Sequence, residues 1–172
     1  MHIQIAEHIK LALLVESDAA DILKTVNLSR ASLGKFLPWV EGVSNIESAK
    51  KYILDRVNSG LDGSLWFTIY YKGNLSGIFA VKSICPELNV AELGYWLSSD
   101  AQGNGIISQV ITRVPIILKN TSAKIIEFRC LEQNVASIKI ALKSGASLVG
   151  AIPNFVSVGN TLQQLNIYQV AL

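Results

Sequence analysis

The chain has 172 residues, half of them apolar and only 16% charged. Soluble domains carry about 25% charged residues, so this chain has the greasiness for a real core and disorder is excluded as a description of the whole. Fifteen Lys and Arg against 13 Asp and Glu leave a net charge of +2, and no basic run exceeds Lys50-Lys51, which argues against direct nucleic-acid binding.

Mean hydropathy is +0.37. No run of about 18 uncharged apolar residues occurs, so no membrane-spanning helix is expected. Residues 1–16 lack the basic start and small-residue cleavage site of a secretory leader. Cys85 and Cys130 are therefore expected to be free thiols in a reducing, cytoplasmic setting. Two cysteines and two histidines, His2 and His8, do not make a structural zinc set, and no metal is expected. The length predicts one domain over residues 1–172.

In chain order, Leu11 to Leu14 read as a first strand. Ser17 is expected to cap a helix with Asp18 and Asp21 in its first turn, where the positive dipole end favours them. Ala19, Ile22, Leu23 and Val26 then recur at helical spacing. In Arg30 to Val40, Pro38 disfavours continued helix. Ser44-Asn45-Ile46-Glu47 has capping-box spacing, and Ile46, Ala49, Ile53 and Val57 form one face of the helix behind it. Leu65–Tyr71 and Leu75–Ile84 are rich in aromatic and β-branched residues around a Lys72-Gly73-Asn74 hairpin.

Val90 to Leu97 is a further strand, followed by the polar, Gly-containing stretch Ser98 to Gly105. Ile106 to Leu118 is helical by spacing, with Pro115 predicting a kink or an early end. Lys124 to Cys130 is a strand. Asn134 opens a helix that Gly145 closes. Leu148–Ile152 and Leu162–Val170 are final strands joined by a loop with Pro153 and Gly159. This order predicts an α/β or α+β fold with one mixed sheet and helices on both faces.

The stretch that carries chemistry is Leu93 to Ile107: strand, polar loop, helix. Glycines at a helix N-terminus leave amides unpaired and remove the Cβ atoms that would hold a phosphate away. There is no Lys-Ser/Thr of a nucleoside-triphosphate loop and no three-glycine dinucleotide fingerprint. A phosphate cradle and an ordinary Gly-rich helix start both fit these residues.

Gln102-Gly103-Asn104-Gly105-Ile106-Ile107 resembles the acetyl-CoA pyrophosphate loop of the GCN5-related N-acetyltransferases: Gln or Arg, two variable residues, Gly, one variable residue, then Gly or Ala. Leu33 to Trp39, Glu92 to Leu97 and Asn134 to Gly145 resemble, in the same order, the branch that includes the ribosomal-protein N-terminal (serine/alanine) acetyltransferases. Two residues depart from the pattern. Ile107 stands where Gly or Ala is preferred, and Asn104 stands where Lys is frequent.

The resemblance implies a mixed, mostly antiparallel central sheet with helices on both faces. It implies acetyl-CoA as co-substrate and acetyl transfer to a primary amine by direct attack in a ternary complex. The acceptor would be a protein N-terminal α-amine, as of a ribosomal protein, or a small amine such as a polyamine, an amino acid or an antibiotic. The strand Glu92 to Leu97 would splay from its neighbour near its end, so that unpaired backbone around Trp96 and Leu97 holds the pantetheine arm and the thioester carbonyl. Gln102, Gly103, Asn104, Gly105, Ile106 and Ile107 would take the pyrophosphate, and Asn134 the pantetheine. Glu92 would serve as base through water, and Ser137 would protonate the leaving thiolate. Arg30, Phe36 and Trp39 would touch the acceptor.

Each residue also has a plainer reading. Asn134 is a good N-cap, Ser137 can face solvent, and Glu92 can belong to a core-edge ion pair. Cys130 reads as a small buried apolar residue rather than a nucleophile. Two further classes remain open on the residues: a non-catalytic acyl-CoA-binding module, and a nucleotide-binding enzyme. The apolar C-terminal strands could pair edge to edge across a homodimer.

Overall fold

The computed structural model describes all 172 residues. Eight strands form one sheet in the order β1-β2-β3-β4-β5-β6-β8-β7. These are β1 (His2–Ala6), β2 (Ile9–Leu13), β3 (Leu65–Tyr71), β4 (Asn74–Cys85), β5 (Val90–Leu97), β6 (Ile125–Leu131), β7 (Ser147–Val158) and β8 (Thr161–Ala171). Neighbours run antiparallel except β5 and β6, which are parallel. A parallel pair needs a long crossover. Here the chain between them carries two short helices, α3 (Ile106–Ile111) and α4 (Val114–Ile117).

Helices α1 (Ala19–Leu33) and α2 (Ile46–Val57) cover one face, with Ile22, Val26, Ala49 and Ile53 packed around Ile78 and Trp96. Helices α3, α4 and α5 (Val135–Lys143) share the other, larger cluster with Phe67, Phe79, Leu93 and Phe128. The predicted mixed sheet with helices on both faces is therefore present.

Several boundaries differ from the sequence reading. The chain opens with a β1–β2 hairpin, and β2 ends at Leu13, so the first strand begins before Leu11 and Leu14 lies beyond it. Ser17 does not cap α1: Glu16–Asp18 form a 3-10 turn, and the Asp18 carboxylate accepts from the Val15 amide at 2.9 Å. The capping box of α2 is shifted by one residue. Asn45 accepts from the Ser48 amide at 2.8 Å, and the Ser48 hydroxyl accepts from the Asn45 amide at 3.0 Å, leaving Glu47 outside. Pro115 lies in the first turn of α4, where its missing N–H costs nothing, and the helical segment breaks just before it.

The last two strands are longer than predicted. β7 runs through Pro153 to Val158, with a register irregularity between Ile152 and Val156. An edge strand tolerates a proline at such a bulge. The bulge matters below, because Phe155 lies within it and lines the cavity that opens between β5 and β6.

Candidate active site

β5 and β6 pair only from Val90–Ile125 to Leu93–Phe128. Beyond that point Gly94 to Leu97 remain paired to β4, while Arg129 to Leu131 remain paired to β8. The sheet therefore opens into a V, as the resemblance implies. A cavity of about 440 Å³ fills it.

The two walls of this cavity belong to opposite faces of the sheet, because side chains alternate along β5. Trp96 packs with α1 and α2. Glu92 and Gly94 share its face by alternation, and both line the cavity with Phe36, Trp39, Tyr52, Arg56 and Trp66. Leu93 and Tyr95 belong to the other cluster, beside Cys130 and Phe128. Asn134 and Ser137 at the start of α5 line that side. The opening is thus a passage through the sheet, with a carboxylate on one side and a hydroxyl on the other.

Glu92 is held by two cations. Lys82 Nζ contacts its Oε1, and Arg129 Nε lies 3.7 Å from its Oε2. Arg129 also donates to Glu127 Oε1 at 2.6 Å, and Gln169 donates to Glu127 Oε2 at 2.6 Å. The ion-pair reading of Glu92 is therefore realised, and the carboxylate still faces the cavity. Gly94 allows this packing, since a Cβ there would meet Lys82 Cδ at 2.9 Å.

On the other side, burial holds the Tyr95 phenol well above the usual tyrosine range; the nearby Cys130 thiol pushes the same way and the Ser137 side chain opposes it. Burial also pushes the Cys130 thiol up to about 11. It is a thiol, not a thiolate, near neutral pH, which is the wrong state for a nucleophile. Asn134 caps α5 through Oδ1, which accepts from the Ser137 amide at 3.3 Å. Its Nδ2 donates to no protein group, so capping and facing the cavity are compatible.

Backbone direction refines the expectation for Trp96 and Leu97. The Trp96 carbonyl lies against β4: a Cβ on Gly77 would meet it at 2.1 Å. Backbone polar groups alternate sides along an antiparallel strand. Tyr95 and Leu97, rather than Trp96, therefore turn theirs toward the opening. The Leu97 carbonyl already accepts from Gln102 Nε2 at 3.0 Å.

Past β5, the Gln102 amide bonds to the Ser98 carbonyl at 3.1 Å, whereas the amides of Gly103 through Ile107 meet no protein acceptor. Gly103 and Gly105 sit at φ +77° and +68°, and a Cβ on either would meet nothing closer than 4.0 Å. The surface above the loop is open. Asn104 does not project outward as a Lys would. Its exposed side chain folds back on the loop, with Nδ2 donating to the carbonyls of Ala101 and Gln102, both at 3.1 Å. Ile106 and Ile107 are buried in the core, so the larger residue at 107 points away from the amides.

Arg30 stands apart from the cavity. Its guanidinium donates to the carbonyls of Val40, at 2.7 Å, and Val43, and so secures the turn after α1. Phe36 and Trp39, in that segment, do reach the cavity. Sequence reasoning missed Tyr52, Arg56, Lys82, Tyr95 and Arg129. Of these only Tyr95 had a usable signal, its alternation with Glu92 and Trp96.

Comparison with known proteins agrees with this architecture. The family model described as an acetyltransferase (GNAT) domain matches residues 8–147. Over 168 residues the chain is 24% identical to a ribosomal-protein-serine acetyltransferase of Escherichia coli (strain K12), covering 96% of this chain and 94% of that protein. Among solved structures, the ribosomal L7/L12 α-N-protein acetyltransferase RimL in complex with coenzyme A superposes with a TM-score of 0.91, at 21% identity, covering 100% of this chain and 98% of that one. The microcin C7 self-immunity acetyltransferase MccE, in complex with acetyl-CoA and AMP, gives 0.87 at 23% identity, covering 99% and 96%.

Proposed function

The chain belongs to the acetyltransferase (GNAT) family and is an N-acetyltransferase with acetyl-CoA as co-substrate; we propose that its acceptor is a protein N-terminal α-amine, such as that of a ribosomal protein, and that the amine attacks directly in a ternary complex. The observation that carries this reading is the passage through the sheet at Leu93/Phe128, with Glu92 on one side and Ser137 on the other. The likeness to a ribosomal-protein-serine acetyltransferase along nearly the whole chain supports the acceptor class.

In this reading the free amides of Gly103 to Ile107 bind the pyrophosphate, with the glycines keeping side chains out of its way. Gln102 braces the strand end. Backbone groups of Tyr95 and Leu97, together with Asn134 Nδ2, hold the pantetheine. The thioester then lies within the opening, and the acceptor enters from the face built by Phe36, Trp39 and Glu92. The ammonium of the acceptor loses a proton to Glu92 through water, using a carboxylate lone pair not taken by Lys82. The amine nitrogen bonds to the carbonyl carbon and the C–S bond breaks. The departing sulfur takes a proton relayed by the Ser137 hydroxyl, which is replenished by the second proton leaving the amine nitrogen, so the serine ends the step as it began. Positioning and separation of base and acid on opposite faces supply most of the acceleration.

A small-amine acceptor is the second reading, favoured by the likeness to MccE, whose structure holds a nucleotide beside acetyl-CoA. No helix of the protein is long and apolar enough to cross a membrane. We place the enzyme in the cytoplasm, where ribosomal proteins are made. The edge strand β7 exposes Leu148, Val149 and Phe155, which supports a homodimer through the C-terminal strands.

The test is an acceptor screen at saturating acetyl-CoA, with N-terminal peptides of ribosomal proteins beside polyamines, amino acids and amine-bearing antibiotics. Peptide α-amines should be acetylated best. Glu92→Gln and Ser137→Ala should each lower kcat by about 10²-fold with little change in acetyl-CoA binding. Full turnover in both variants would remove these roles, and a polyamine or antibiotic as best acceptor would replace the N-terminal reading.

A further inference from the structure

Arg56 lies in the last turn of α2 and lines the cavity on the acceptor face. Its guanidinium carbon is 3.5 Å from the Tyr52 ring centroid, 5.4 Å from that of Trp66 and 5.5 Å from that of Trp39. Three aromatic faces therefore enclose the charge. Nη1 donates to the Tyr52 carbonyl at 2.9 Å. Nε is buried and meets no acceptor. No carboxylate approaches the group within ion-pair distance; the adjacent Asp55 is taken by Lys51 at 2.7 Å.

The other two cations of the cavity differ in this respect. Lys82 is paired with Glu92, and Arg129 with Glu127 and Glu92. A buried donor left unpaired is costly, and a purely structural arginine would be expected to have its acid close by. The aromatic box compensates for part of the desolvation, yet leaves the Nε edge of the planar fork without a partner. Nε is sealed from the cavity, so an anion would meet the unpartnered Nη2, beside three aromatic faces where charge-assisted bonds are strong.

We infer that Arg56 is an anion-binding subsite of the acceptor pocket: the amine to be acetylated belongs to a molecule that also carries a carboxylate or a phosphate, and Nη2 of Arg56 holds that group. This rests on the acceptor-side assignment above and narrows it. Arg56 is then a specificity residue, acting on which amine docks rather than on the transfer step.

The experiment uses acceptors matched in shape and different in charge. One arm compares C-terminally amidated tetrapeptides with a free N-terminus and Glu or Gln at the second position. The other compares aminoethyl phosphate with ethanolamine, which separates a phosphate from a carboxylate source. In at least one arm the charged member should exceed its neutral twin by roughly tenfold in kcat/KM, mostly through KM, and added salt should erode the gap. Arg56→Gln should bring the ratio to within about twofold, and Arg56→Lys, which keeps charge but loses the fork, should fall between. Equal use of the twins by the wild type, or a ratio that survives Arg56→Gln, overturns the subsite.

Binding of the N-acetylated peptide twins, followed by tryptophan fluorescence with CoA present, separates this inference from the reading beneath it. A charged product that binds the wild type but not Arg56→Gln upholds the subsite even where no amine is turned over, and the N-terminal reading alone then fails. Equal binding of charged and neutral products in both the peptide pair and the N-acetylated aminoethyl phosphate and ethanolamine pair overturns the subsite whatever the turnover.

Discussion

The indole Nε1 of Trp96 donates a hydrogen bond to the Tyr52 hydroxyl across 3.0 Å, joining the free end of β5 to α2 over the acceptor side of the cavity. The bond is buried, and Trp39 packs against both partners with its ring tilted, centroids 4.5 Å from Tyr52 and 5.7 Å from Trp96. Tyr52→Phe keeps the ring but strands a buried indole N–H. It should cost about 1–3 kcal/mol, read as a lower denaturant midpoint with an unchanged slope.

Gly77 sets how closely β4 can carry the end of β5. A Cβ there would meet the Trp96 carbonyl at 2.1 Å and Leu97 atoms at 3.0 Å. Gly77→Ala should destabilise by about 1–3 kcal/mol and weaken acetyl-CoA binding, because the strand that shapes the opening must shift. Gly150→Ala is the control: its Cβ would meet nothing closer than 4.0 Å, and its effect should stay within about 0.5 kcal/mol. Thermal melts and calorimetric titration with acetyl-CoA read both quantities.

Gly105 holds φ +68° immediately before α3. Gly105→Ala clashes with nothing but strains the backbone by about 1–2 kcal/mol. Relaxing that strain turns the loop amides, so the Kd for CoA should rise about tenfold or more, well beyond the effect on folding. Gly42→Ala, in open space and without a positive φ, should change neither.

The Cys130 thiol ionises at about 11 in the fold against an ordinary value of 9.0. The folded state therefore keeps its proton where the unfolded chain has lost it. The stability this contributes is whole below pH 9 and is lost as pH rises toward 11. Cys130→Ser should flatten the fall in melting temperature across that window. Alkylation of the native thiol by iodoacetamide should reach half its limiting rate near pH 11, well above that of a denatured control.

Much of the fold was legible in the residues because its signals are local. Hairpin chemistry at Lys72-Gly73-Asn74, helical spacing in Ala19 to Val26 and the Asn134 cap each act within a few residues. The β1–β2 hairpin was missed although Ile3 and Ile5 alternate correctly, since a strand of five residues gives few repeats to count. The loop at Gln102–Ile107 was readable for the same reason as the hairpin: its φ values demand glycine wherever the chain goes next.

The acceptor face was not legible in that way. Arg56 and Tyr52 lie on α2, Trp66 on β3, Lys82 on β4 and Arg129 on β6, and nothing in the spacing of those residues announces a shared cavity. Nor could the sequence show that Arg30 spends its charge on the carbonyls of Val40 and Val43 while Arg56 lacks an acid. Chain-local chemistry determined the elements and the glycine-bearing turn before α3, and the resemblance carried by four short stretches gave the kind of transfer. Only tertiary packing decided where β5 leaves β6, which backbone groups face the gap and which cation stays unpaired, because burial and pairing depend on partners far along the chain, as Trp96 depends on Tyr52, 44 positions away.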